Sequence, residues 1–157
     1  MNNKGISLIE TVIYLGLVVI IIPIAAALMF FSVDARVRGA DANLVLVEGG
    51  RVAQIITRVI RNADDINFPS LGSASSTLSL TVDDSAKSPT IFQFNNGALT
   101  IKEGGGVEIA LVSENITVSS VLFQNVSRSG TPGSIKAEFT LVSGPLSRNF
   151  YVSASLQ

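Results

Sequence analysis

ISLIETVIYLGLVVIIIPIAAALMFF, residues 6–31, decides the fold, because Glu10 is the only charged residue in it. The uncharged part, 11–31, is about 20 residues long and spans roughly 30 Å as a helix, the thickness of a bilayer hydrocarbon core. A transmembrane helix follows directly. The competitor is a secretory signal peptide, whose apolar core is shorter, about 7–15 residues, and ends at a small-x-small cleavage site. Ala25-Ala26-Ala27 imitates that site, but Leu28-Met29-Phe30-Phe31 carries the apolar run straight past it. Charge alone leaves the orientation open. Lys4 and the initial amine favour a cytoplasmic N-terminus, while Arg36 and Arg38 flank the far end.

Beyond this run a helical period continues through residues 32–63. Val33, Val37, Ala40, Leu44 and Val47 form one stripe, and Val52, Ile55, Ile56, Val59 and Ala63 a second, rotated by roughly a quarter turn. The change of phase falls at Gly49-Gly50, where each glycine costs a helix about 1 kcal/mol relative to alanine. A weak point or bend is expected there. Arg36, Arg38, Arg51, Arg58 and Arg61 lie along this segment and read as its solvated edge.

Residues 64–76, with Pro69, Gly72 and a serine cluster, read as a linker. From Thr77 the chain turns to Ser, Thr, Val, Ile and Phe at period two, and strands are expected at 77–83, 90–95, 98–103, 107–112, 116–127, 134–142 and 149–156. Asn95-Asn96-Gly97 is a tight-turn signal, and Gly104-Gly105-Gly106, Pro132-Gly133 and Gly144-Pro145 punctuate the rest. The fold class expected is α+β. A long N-terminal helix, with a transmembrane half at 6–31 and an amphipathic half at 32–63, packs on an antiparallel β-sheet head at 77–157.

Composition narrows the function. The 157 residues carry 11 Lys+Arg against 12 Asp+Glu, a net charge of −1, so no cationic excess exists to hold a nucleic acid. Cysteine and histidine are both absent. That removes thiolate chemistry, the usual general base and the commonest transition-metal ligand. An enzyme is not expected, nor a cofactor.

Glu10 does not suit a simple anchor, since a carboxylate at mid-membrane depth costs about 2.5–3.5 kcal/mol or more. Either it snorkels to the interface or it has a partner. Lys4-Gly5 followed by Ile6-Ser7-Leu8-Ile9-Glu10 and a long apolar run resembles the class III leader of type IV pilins and type II secretion pseudopilins. The resemblance covers residues 1–63, while the β head agrees with that family as an architecture. It implies a leader at 1–5, cut by a prepilin peptidase between Gly5 and Ile6, with N-methylation of Ile6. Glu10 then falls at the fifth position of the mature chain, where the family pairs this carboxylate with the N-terminus of an adjacent subunit. Two charges that are each costly when buried become tolerable as a pair, and a head-to-tail contact propagates into a helical fibre.

The layout of RVAQIITRVIRNADDI before a strand-rich end looks most like the minor pseudopilins of the J type. The chain departs from the family in three places. Ile6 stands where Phe is commoner, Pro23 comes a few residues early, and the C-terminal cysteine pair of many major pilins is missing. The partners implied are the prepilin peptidase, other pilin or pseudopilin subunits, an inner-membrane assembly platform and the lipid bilayer. The location implied is the cytoplasmic membrane, N-terminus inside and head outside, and later an extracytoplasmic filament. Secretion, DNA uptake and adhesion all remain open as the system served. The alternatives are a membrane-anchored monotopic β-domain binding protein, and a secreted enzyme or lectin cut near Ala27.

Other motifs have plain readings. Asp64-Asp65 and Asp83-Asp84 supply carboxylates of the kind calcium takes, but without ligand spacing, so no metal site is expected. Gly104-Gly105-Gly106 lacks the lysine of a phosphate loop. Ser85 and Lys87 share a loop without an activating partner. Asn115 and Asn125 each open a glycosylation sequon, and Phe92, Phe94, Phe123, Phe139 and Phe150 read as β core.

Overall fold

The structure, a computed structural model, describes residues 8–157, and the side chains among them outside 33–41. It contains one long helix, α1 (Leu8–Arg61), followed by nine strands. The chain divides into two compact units, Met1–Ala40 and Asp41–Gln157, so α1 contributes to both.

In the first unit, Leu8–Ser32 is long and apolar enough to cross a membrane, with 25 residues and a mean hydropathy of 2.8. Its side chains are exposed throughout, Phe31 at 74% and Ile22 at 62% among them. A contiguous apolar surface of that extent marks a face that contacts a membrane or other protein. Pro23 lies inside the helix without ending it. Its missing N–H leaves the carbonyl of Val19 without the usual i+4 donor.

The second unit contains two antiparallel sheets. One has the order β1-β3-β4-β5-β6, from β1 (Ala63–Phe68), β3 (Thr77–Val82), β4 (Thr90–Asn95), β5 (Ala98–Glu103) and β6 (Ile109–Ala110). The other has the order β2-β7-β8-β9, from β2 (Ala74–Ser75), β7 (Thr117–Asn125), β8 (Ser134–Ser143) and β9 (Leu146–Ser155). Period-two alternation sends Leu78, Leu80, Phe92, Leu99, Phe139 and Leu141 into a single core. Phe92 of β4 and Phe123 of β7 meet there at a ring-centroid distance of 6.1 Å. Between β4 and β5, Asn96 (φ 49°) and Gly97 (φ 77°) form a two-residue turn with both central residues left-handed. That is the type I′ geometry that matches strand twist.

The same core takes in Val45, Val52, Ile56 and Ile60 of α1, all with 0% exposure. Of the first expected stripe, Val33, Val37 and Ala40 lie outside the described side chains and Leu44 packs against the core, but at Val47 the structure corrects the assignment. Val47 is 64% exposed, and the buried line runs through Val45, Gly49, Val52, Ile56, Ile60 and Ala63 with no rotation at the glycines. Instead of a weak point, Gly49 is a close-approach site. A Cβ there would collide with the Phe150 ring, whereas one on Gly50 would meet nothing within 4 Å.

Residues 64–76 are not a linker, because they hold β1 and β2. β1 hides from a pattern search because two register shifts against β3 break its alternation and Asp64-Asp65 sit within it. The expected strand at 107–112 shrinks to Ile109–Ala110. Val107 is 85% exposed, and Leu111 turns inward, its N–H donating to the carbonyl of Leu99 at 2.8 Å.

Candidate functional site

Gly5 and Ile6, the expected processing pair, lie outside the described residues, as does Lys4. Glu10 stands in the first described turn of α1, exposed among exposed apolar neighbours such as Ile9 and Ile13. One turn on, the hydroxyl of Tyr14 donates to Glu10 Oε1 at 3.3 Å. The i, i+4 spacing stacks the two side chains on one face of the helix. Among the described residues, this carboxylate is answered by a hydroxyl and not by a cation.

In the second unit, α1 is fastened to the 111–113 segment by a polar clamp that sequence reasoning missed. Glu48 Oε2 accepts from Arg51 Nη2 at 2.7 Å and from Nε at 3.1 Å, while Oε1 accepts from Ser113 Oγ at 2.7 Å. Arg51 Nη2 also donates to the carbonyl of Leu111. The Ser113 hydrogen bond, followed by those from Arg51, holds the Glu48 carboxyl below its ordinary range despite partial burial. The Glu-x-x-Arg spacing was visible in the sequence, but Ser113 lies far along the chain and no local signal links it to the helix.

The acidic pairs separate into different roles. Antiparallel pairing of β1 with β3 brings Asp64 beside Asp83, and partial loss of hydration at this exposed carboxyl, then the Asp83 charge, pushes it up. Asp65 Oδ1 accepts from the N–H of Ile66 beside the register shift of β1, whereas Asp84 Oδ1 accepts from the N–H of Ala86, two residues on, as turn-forming aspartates do. Among the described residues, no group of three or more acidic, histidine or cysteine side chains converges as a metal site.

The two sequons also differ. Asn115 is exposed, but Asn125 is buried at 5% and its Nδ2 donates to the carbonyl of Pro69 at 2.9 Å. Phe92, Phe123 and Phe139 are fully buried, and Phe94 and Phe150 pack against the same core. No family model, curated protein or solved structure matches the chain.

Proposed function

We propose that the chain is a minor pilin or pseudopilin subunit that enters a type IV pilus-like or type II secretion filament through its N-terminal helix. One observation carries this reading. Glu10 is an ionisable residue in the first described turn of an otherwise uncharged Leu8–Ser32 helix, and it stands five residues after Gly5. In this reading cleavage between Gly5 and Ile6 exposes an ammonium, and Glu10 of a neighbouring subunit neutralises it. Residues 6–31 hold the precursor in the membrane and afterwards pack in the filament core. The amphipathic part of α1 is the stalk that the β head covers, and the head is carried outside the bilayer.

The exposed Leu46 (53%) and Val47 (64%) support the reading, as apolar surface on the helix outside the core of its own unit. The Tyr14–Glu10 hydrogen bond favours the second reading, a membrane-anchored β-domain binding protein, because it gives the carboxylate a partner within its own chain. Intact mass of the membrane-extracted protein, produced with and without a prepilin peptidase, decides between them. Peptidase-dependent loss of Met1–Gly5 with one methyl added on Ile6 is expected for the subunit, and an uncut chain in both samples for the anchor.

A further inference from the structure

Four strands end the two sheets: β1 and β6 in one, β2 and β9 in the other. An edge strand presents unpaired N–H and C=O groups, and folded proteins protect such edges by shortness, bulges, proline or lysine. β2 and β6 have 2 residues each, and β1 has register shifts at two places against β3. β9 has none of these protections. It is 10 residues long, holds an unbroken register with β8, and contains neither proline nor lysine.

Its open backbone groups can be assigned. Gly144 (φ 55°) and Pro145 form a two-residue turn, which makes Ser143 and Leu146 a hydrogen-bonded pair. The bonded set continues at every second residue and reaches Leu156, whose N–H donates to the carbonyl of Gly133 at 2.8 Å. Ser147, Asn149, Tyr151 and Ser153 therefore direct their N–H and C=O away from β8, and all four are exposed.

Beside the last part of this edge lies a groove of about 680 Å³, bordered by Gln54, Thr57, Arg58 and Arg61 of α1 and by the Tyr151–Ser153 stretch of β9. Neither Asp nor Glu lines it, and the same two arginines also border the adjoining hollow that holds Asp64, Asp83, Asp84 and Glu103. Among the described residues Arg51 pairs with Glu48, while Arg58 and Arg61 have no ion-pair partner. The side chain of Tyr151, out of phase with the buried Val152, is 62% exposed on the solvent face of the sheet, in a cross-strand row with Glu138 and the half-exposed Leu122.

We propose that the open edge of β9 docks an extended segment of another protein, added as a fifth strand to the β2-β7-β8-β9 sheet. Alternation dictates its chemistry: carboxylates on the side facing Arg58 and Arg61, apolar side chains on the side facing Tyr151. A second copy pairing through its own β9 is disfavoured. It would set the Arg58, Arg61 and Arg148 margins of two molecules against each other, like charge to like. The proposal does not rest on the filament reading, since an anchored binding protein would present the same edge.

The test uses the full chain in detergent micelles and a fluorescent eight-residue peptide alternating glutamate with valine, beside a twin with lysine for glutamate. Saturable anisotropy is expected for the acidic peptide, with affinity roughly tenfold or more above its twin and falling with salt. Hydrogen exchange should slow at the amides of Asn149, Tyr151 and Ser153. Ser153→Pro removes one outward donor without touching the β8 ladder and should weaken binding. Arg58→Glu with Arg61→Glu, which alters only exposed side chains, should reverse the preference between the twins. Absence of binding, equal binding of both twins, or unchanged exchange at those three amides would overturn the proposal. So would slowing of the same amides with protein concentration alone, the signature of a second copy.

Discussion

The ring of Phe150 occupies the space where a side chain on Gly49 would begin, and it is itself stacked on Phe139 at a centroid distance of 5.3 Å. With Phe139 fully buried behind it, the ring has little freedom to withdraw. Gly49→Ala should therefore destabilise the Asp41–Gln157 unit by about 1 kcal/mol or more, overpacking outweighing the gain in helix propensity. Gly50→Ala, facing open space, should stabilise it by up to about 1 kcal/mol. Urea unfolding of the two variants checks this. Equal shifts of the same sign would show that the ring yields.

On the proposed filament reading, Glu10→Ala should leave membrane insertion intact and impair entry into filaments. Fractionation into membrane and sheared-filament pools measures it. Wild-type incorporation would remove the pairing argument and leave the Tyr14 contact as the role of Glu10.

Glu48 ties stability to pH. Its carboxyl titrates below its ordinary 4.5 in the folded chain, because Ser113 and Arg51 hydrogen-bond the charged form. Between the two values the unfolded chain binds more protons, so stability rises with pH there. The contribution is complete above about pH 4.5 and is lost as pH falls through the folded value. Glu48→Gln should flatten that part of a stability profile measured between pH 3 and pH 6, and an unchanged profile would show that the clamp does not hold the fold.

Asp64 acts in the opposite sense. Partial loss of hydration and the neighbouring Asp83 raise its carboxyl above 3.8, so its contribution is present below that value and is lost as pH rises through the folded one. Asp64→Asn should raise the unfolding midpoint at neutral pH and leave it unchanged near pH 3. A lowered midpoint at pH 7 would mean that Asp64 holds a favourable contact there.

Much of this architecture was legible because its signals are local. The apolar run needs only length and composition, and the type I′ turn at Asn96-Gly97 needs only two residues. What escaped depends on contacts between distant parts of the chain. Val47 looked buried and Val45 did not, because the true stripe passes through Gly49, which carries no apolar signal although it touches Phe150. In β7 the buried set changes parity from Val118 to Val121 across the register shift before Ser120, so strict alternation misassigns one end or the other. Ser113 joins Glu48 across a separation of 65 residues, with no spacing rule to announce it.

The buried amide of Asn125 has a consequence for how the protein can be made. The nitrogen that a glycosylating host would modify is the one that donates to Pro69, beside the strand pairing of Ala74-Ser75 with Phe123-Gln124. A sugar attached there while the chain is still open would occupy the place where residues 69–75 close over β7. Material secreted from a eukaryotic host would then consist of two populations, modified chains unable to seat β2 and unmodified ones that can. Bacterial expression avoids the division altogether.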